Sequence, residues 1–402
     1  MEHEREFGVV LFGATGYTGR LVAEHLLTRK QGVRLAFAGR NQAKLEQLRS
    51  ELGAEDVPLL VGDVSDEGFL QRMAENTAVV CTTVGPYARY GAGLVAACAA
   101  AGTSYCDLTG ETHFIRDMID RYGAAAAQSG ARLVHCCGFD SIPADLGVFF
   151  LQEQAQARLG GPCQEVRAFL TDMSGTFSGG TMSSMEQLLD DARRDPALRS
   201  LLLDPYALNP AGERSGADGR DPLGPAHDPD MGWTAPFIMA TANTRIVRRS
   251  NAIMNYPYGR DFRYTETIAT GKGAKGWVTA QALTVGTGAL IASMAVPPIR
   301  TLTASLRPKP GEGPSKTQRE QGHFTYDFLG KRDSTTLRVQ VHANVDPGYG
   351  ATARMLGESA LCLAQDTARL PVQGGSWTPA SALGHALIDR LNAVGVEFRV
   401  LA

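Results

Sequence analysis

Through the first 150 residues, short β-branched runs alternate with segments whose apolar residues recur every three or four positions. The runs at 8–12, 34–38, 57–61, 78–82, 104–107 and 131–136 predict strands. Between them, Leu21, Val22, His25 and Leu26, and later Leu45, Leu48 and Leu52, fall on single helical faces. Strand then helix, repeated, gives right-handed parallel crossovers and hence a doubly wound sheet.

Beyond Asp145 the pattern loosens. Residues 164–173 predict a strand and 179–194 a helix. The segment 204–236 is then broken up by Asp-Pro, Asn-Pro, Ser-Gly, Asp-Gly and Gly-Pro pairs, which predict a long surface excursion, either a lid or a mobile loop. Strand signals return at 236–240 and 263–269. After a second turn-rich stretch, 307–322, the alternating sets Phe324-Tyr326-Phe328 and Leu337-Val339-Val341 predict a hairpin. Helical spacing at about 350–370 and 379–394 and a final strand at 396–401 close the chain.

A chain of 402 residues is long enough for two domains. Its net charge of −3 gives no excess of Lys and Arg with which to neutralise phosphates, so a nucleic-acid partner is not expected. The seven cysteines form no CxxC pair and are odd in number, which fits reduced thiols in a cytoplasmic protein better than a disulfide framework or a metal site. The N-terminus lacks the basic and apolar regions of a secretory signal. One stretch departs from this picture: from Gly276 to Ile299 there is no charged residue. It is long enough to cross a bilayer, but Thr279, Gln281, Thr284, Thr287 and Ser293 dilute it. A buried helix, or one lying peripherally against membrane or lipid, is the expectation.

Chemistry enters first at Gly13-Ala14-Thr15-Gly16-Tyr17-Thr18-Gly19, placed directly after the first strand and opening a helix. Such glycines permit a tight turn, close approach of backbone to a pyrophosphate, and close packing of helix on strand, with the helix dipole facing the phosphates. The second strand runs into Gly39-Arg40-Asn41 with no Asp or Glu from Leu35 to Lys44. An acidic residue here would hold the ribose hydroxyl of NAD; an arginine instead suits the 2′-phosphate of NADP. Asp63 is placed either to approach the adenine edge or to cap the next helix. The loop after the fourth strand, with Gly85, Pro86, Tyr87 and Tyr90, is expected to run beside the cofactor. Tyr87 can stack, donate a proton or hydrogen bond, or simply pack. Asp140 reads first as the cap of a helix starting at Ser141 and second as a catalytic acid. In His135-Cys136-Cys137 neighbouring side chains alternate in direction, so a satisfied core histidine is favoured over a metal ligand.

The runs GATGYTG, VGPYARYGAGLVAACAAAGTSYCDLTGE at 84–111 and HCCGFDSIPADLGV at 135–148 resemble the saccharopine dehydrogenase-like oxidoreductases, and within them the trans-acting enoyl reductase branch associated with polyketide lipids. GGTMSSM at 179–185, PGEGPS at 310–315 and DPGYGATARMLGESALCLA at 346–364 extend the resemblance along nearly the whole chain. It implies a split nucleotide domain with the last helices returning to it. The expected architecture is therefore α/β, a Rossmann-type doubly wound parallel sheet with an inserted α+β substrate domain: residues 1–148, then 149–345 for substrate and a possible homodimer contact, then 346–402 returning to the Rossmann half. The implied function is NADPH-dependent reduction of an acyl or polyketide-lipid thioester, free or carrier-bound. Two alternatives stay open: a saccharopine-type amino-acid dehydrogenase, for which Arg245, Arg248 and Arg249 offer carboxylate partners, and a non-catalytic NADP-binding adaptor at lipid surfaces.

Overall fold

The computed structural model describes residues 5–175, 179–214, 216–303 and 313–401. The chain divides into two units, Met1–Ile142 with Gly311–Pro314 and Gly348–Gly395, and Pro143–Pro310 with Ser315–Pro347 and Val396–Ala402.

In the first unit, β1 (Phe7–Phe12), β2 (Leu35–Gly39), β3 (Leu59–Val61), β4 (Thr77–Thr82), β5 (Ser104–Cys106), β6 (Arg132–Val134) and β13 (Gly375–Trp377) form one sheet in the order β13-β6-β5-β4-β1-β2-β3. Every pairing in it is parallel. Parallel strands covered by helices on both faces must be apolar throughout, and β1 and β2 are almost wholly buried. The strand order reverses between β1 and β4, which puts the loops after these two strands at the carboxyl-end crevice of the sheet. Helices Thr352–Gln365 and Pro379–Asn392 belong to this unit.

The second unit is built on β7 (Glu165–Ser174), β8 (Ala226–Asp228), β9 (Gly232–Pro236), β10 (Arg263–Gly271), β11 (His323–Arg332), β12 (Thr335–Ala343) and β14 (Glu397–Leu401), ordered β14-β12-β11-β7-β10-β9-β8. Only β7 and β10 pair in parallel. The helix Ile142–Leu159 packs on β11 at two glycines. A Cβ on Gly147 would stand 2.4 Å from the Phe328 ring, and one on Gly330 2.4 Å from Leu151. This close approach gives the helix to the second unit from Pro143 onward, rather than from 149. At the other end of the chain the last strand pairs with β12. Residues 396–401 therefore leave the nucleotide-binding unit to which 346–402 as a whole were assigned.

Three further features differ from the sequence expectations. The strand expected at 236–240 lies earlier, as β9, and a helix, Ala240–Ile253, follows it. The turn-rich 204–236 segment is fastened where its described residues meet that helix. Arg245 pairs with Asp221 at 2.5 Å and bonds the Leu202 carbonyl; Arg248 pairs with Asp218 at 2.7 Å and bonds the carbonyls of Pro205 and Tyr264; Arg249 bonds the carbonyl of Leu208. All three arginines are buried, so this face of the helix is an anchor and not a solvated surface. Thirdly, the helix Gly273–Ala295 holds most of the uncharged stretch, and its outer side is exposed, with Val278 at 56% and Val285 at 69%. The turn-rich residues 307–312 lie outside the described residues.

Candidate active site

The glycine loop is shaped by three distinct demands. Gly13 has φ +91°, and a Cβ there would press on Thr83 and Val84 at 2.8 Å. Gly19 sits so close to the turn that a Cβ would stand 2.1 Å from the Gly13 carbonyl oxygen. Gly16, by contrast, is exposed, and its Cβ position meets only that same oxygen at 3.4 Å. Open space at this one glycine, at the start of helix Tyr17–Arg29, is what a pyrophosphate needs; no side chain caps the helix at Gly16. Thr15 and Thr18 are half-buried beside it. Tyr17 turns its side chain back into its own unit, where the hydroxyl donates to the Pro314 carbonyl and the ring meets Tyr349 edge-on at 4.8 Å. The segment ending in Pro314, part of the 310–315 motif whose residues 310–312 lie outside the described residues, thus meets the glycine loop.

Arg40 follows β2, is exposed, and has no hydrogen bond or ion pair among the described residues. Asn41 caps the next helix by accepting the Lys44 amide at 3.0 Å. Asp63 does not cap the helix Glu67–Glu75; Asp66 does, and Asp63 instead accepts the amide and hydroxyl of Ser65. These bonds, with a smaller contribution from Arg40, hold its carboxyl below the usual range.

The loop after β4 carries a cis peptide at Gly85-Pro86, with Gly85 exposed and Pro86 half-buried. The following turn of helix, Tyr87–Tyr90, is held by a residue given no role in the sequence reading. Glu111, buried to 3% exposure, accepts the Tyr87 and Ala88 amides, each at 2.8 Å. Tyr87 itself is spent inside the fold. Its hydroxyl donates to the Thr82 carbonyl at 3.2 Å and lies 3.4 Å from the Leu108 amide, and burial pushes the phenol well above its ordinary range. Tyr87 is thus packed inside the fold, with its hydroxyl on a backbone carbonyl. Tyr90 remains half-buried under the Arg89 guanidinium.

A second buried acid fastens the next loop. Asp107 accepts the amides of Thr109 and Cys136, the Tyr105 hydroxyl at 2.9 Å, and the His135 Nδ1–H at 2.7 Å. Written with its proton on Nδ1, His135 is a core histidine, wedged edge-on against Tyr105 and Phe114. Cys136 is drawn into φ +64°, a costly backbone conformation for a residue with a Cβ. Asp107, Thr109 and Glu111 alternate along one extended segment, and that period of two was the available signal for this scaffold.

The fastened loop presents Asp140. No side-chain bond from Asp140 caps the helix that follows; the amides of Ser141 and Ile142 turn back to Gly138 instead. Its carboxyl has no hydrogen bond or ion pair among the described residues, and desolvation pushes it up to about 6. The same loop is tied to the later motif, because Phe139 donates its amide to Thr352 Oγ1 at 3.2 Å. Residues 13–19, 135–141 and 348–356 thus belong to one unit.

Residues 9–134 match the saccharopine dehydrogenase NADP binding domain. A trans-acting enoyl reductase of Mycobacterium bovis is 42% identical over 98% of this chain and 97% of its own length. The chain belongs to this family. A Mycobacterium tuberculosis relative named provisionally for the same activity is 44% identical with the same coverage, and a Mycobacterium ulcerans trans-acting enoyl reductase is 41% identical. Among solved structures, saccharopine dehydrogenase (L-Glu forming) from Saccharomyces cerevisiae aligns over 98% of this chain and 99% of its own, with a TM-score of 0.52 and 12% identity, a likeness of fold. This member of the trans-acting enoyl reductase family is an NADP-dependent oxidoreductase.

Proposed function

We propose that the protein reduces the α,β double bond of an acyl thioester, presented free or on a carrier domain. The observation that carries this reading is the near-full-length identity to trans-acting enoyl reductases, which extends through both units. When bound, NADPH supplies the hydride for the β-carbon. We assign to the chain the remaining tasks. Gly16 leaves room for the pyrophosphate, Arg40 meets the 2′-phosphate, and the loop held by Glu111 sets the cofactor-facing edge beside Gly85 and Pro86. Negative charge passes from the β-carbon through the former double bond to the thioester oxygen, and one proton must then reach the α-carbon. Asp140 is the group we assign to that proton. A carboxyl titrating near 6 retains a protonated fraction close to neutral pH, and it has no hydrogen bond or ion pair among the described residues.

Against the amino-acid dehydrogenase alternative stands the state of Arg245, Arg248 and Arg249. Their guanidiniums are occupied by Asp221, Asp218 and backbone carbonyls, which leaves them unsuited to receiving substrate carboxylates. The test is NADPH oxidation on addition of enoyl thioesters of increasing chain length, with saccharopine and NADP as the competing pair. Turnover with enoyl chains is the expected result; faster turnover with saccharopine overturns it.

A further inference from the structure

We propose that the helix Gly273–Ala295 seats the protein on an anionic lipid surface, lying along the surface and not crossing it. This goes beyond the reductase reading and does not depend on it.

The helix has 23 residues and so spans about 35 Å at 1.5 Å per residue. Its inner side is fastened to the second unit. Ala280 and Met294 are fully buried, a Cβ on Gly276 would stand 2.1 Å from the Gly271 carbonyl, and Thr270 Oγ1 donates to the Gly276 carbonyl at 2.9 Å. The helix packs on β9, β10 and the helix Gly179–Arg194. A helix crossing a bilayer would have to give up these contacts.

The outer side has the opposite polarity from that of a helix facing water. Trp277, Val278, Leu283, Val285 and Ile291 are exposed, and Val296 and Ile299 continue the surface past the helix end. Of the five polar side chains in the stretch, Gln281, Thr284, Thr287 and Ser293 are half-buried and only Thr279 is exposed. Thr284 and Ser293 turn their hydroxyls to the carbonyls of Ala280 and Leu290. A second protein chain is the weaker occupant, because protein interfaces carry a polar, charged rim and no charge occurs from Gly276 to Ile299. The charges stand at the end of the helix instead. Lys272 and Lys275 are exposed beside Trp277, the pairing of basic and aromatic residues that meets lipid headgroups, and their sign selects anionic ones.

The experiment is flotation of the full chain with vesicles of phosphatidylcholine alone or mixed with phosphatidylglycerol. Wild type is expected to float with the anionic vesicles, less with neutral ones, and less again in high salt. Val285→Asp, at an exposed position, is expected to lower the bound fraction about tenfold while NADPH binding and melting temperature stay unchanged. Absence of flotation, together with a dimer in solution that Val285→Asp dissociates, assigns the face to a second copy and overturns the proposal. So does resistance to alkaline carbonate extraction, which marks a span. Turnover of a soluble enoyl thioester, measured in parallel, separates the two ideas: flotation without turnover defeats the reductase reading alone, and turnover without flotation defeats this one alone.

Discussion

The Glu111 carboxylate closes on the Tyr87 amide at 2.8 Å, joining the loop after β5 to the loop after β4. Removing it strands a buried amide, which costs about 1–3 kcal/mol. Glu111→Ala is therefore expected to lower stability by that amount in urea titration and to weaken NADPH binding through the displaced Gly85-Pro86 segment. Unchanged stability would show that the loop holds its shape without the carboxylate.

Gly16 and Gly19 make opposite predictions although both belong to one motif. Gly16→Val is expected to abolish NADPH binding while leaving the melting temperature near wild type, because its Cβ position opens outward. Gly19→Ala is expected to destabilise the unit itself, because its Cβ would enter the Gly13 carbonyl. Melting curves with and without NADPH distinguish the two; equal behaviour would mean that the phosphate cradle is elsewhere.

Arg40 has no hydrogen bond or ion pair among the described residues, so its replacement reports chiefly on the cofactor. A charge-assisted bond to the 2′-phosphate contributes about 1.5–3 kcal/mol. Arg40→Ala is expected to weaken NADPH at least about tenfold and to leave NADH binding unchanged, read by fluorescence titration. Equal loss for both cofactors removes Arg40 from phosphate recognition.

Asp140 predicts two dependences on pH. Its folded-state value of about 6 lies above the ordinary 3.8, so between these values the folded chain holds a proton that the unfolded chain releases. The stability associated with this group is full below the lower value and falls as pH rises through the upper one. Asp140→Asn is expected to remove that slope from urea titrations between pH 4 and 7, read against wild type. In the same variant kcat is expected to fall about a hundredfold or more, with KM for NADPH little changed. A wild-type kcat that does not decline above pH 6, or an active Asn variant, rules out the carboxyl as proton source.

Arg248 and Asp218 form a buried pair, and breaking such a pair costs about 3–5 kcal/mol. Arg248→Ala should show that loss in thermal unfolding and release the 204–221 excursion to proteolysis. An excursion that stays protected would mean that the helix face does not hold it.

Most of the nucleotide-binding sheet was legible because parallel strands buried on both faces leave continuous apolar runs, and β1, β2 and β4 are such runs. The site was legible where backbone shape alone makes it, as at Gly13, Gly16 and Gly19. It was illegible where a side chain's role depends on a distant partner. Tyr87 looked available until the Thr82 carbonyl claimed its hydroxyl. The arginines at 245, 248 and 249 looked available for substrate carboxylates because the aspartates that pair with Arg245 and Arg248 stand 24 and 30 positions upstream, with no local pattern to announce them.

The strand β14 has a bearing on how this chain can be made and rearranged. The polypeptide passes from one unit to the other after Ile142, revisits the first at Gly311–Pro314, returns to it at Gly348, and leaves again at Val396 to supply the outer strand beside β12. The second sheet therefore takes its outer strand from residues that follow the last segment of the first unit, and until β14 is made the β12 edge stands open to pairing with another chain. No single cut in the gene yields either unit as an uninterrupted segment. Exchange of one unit without the other therefore requires more than one crossover within the gene.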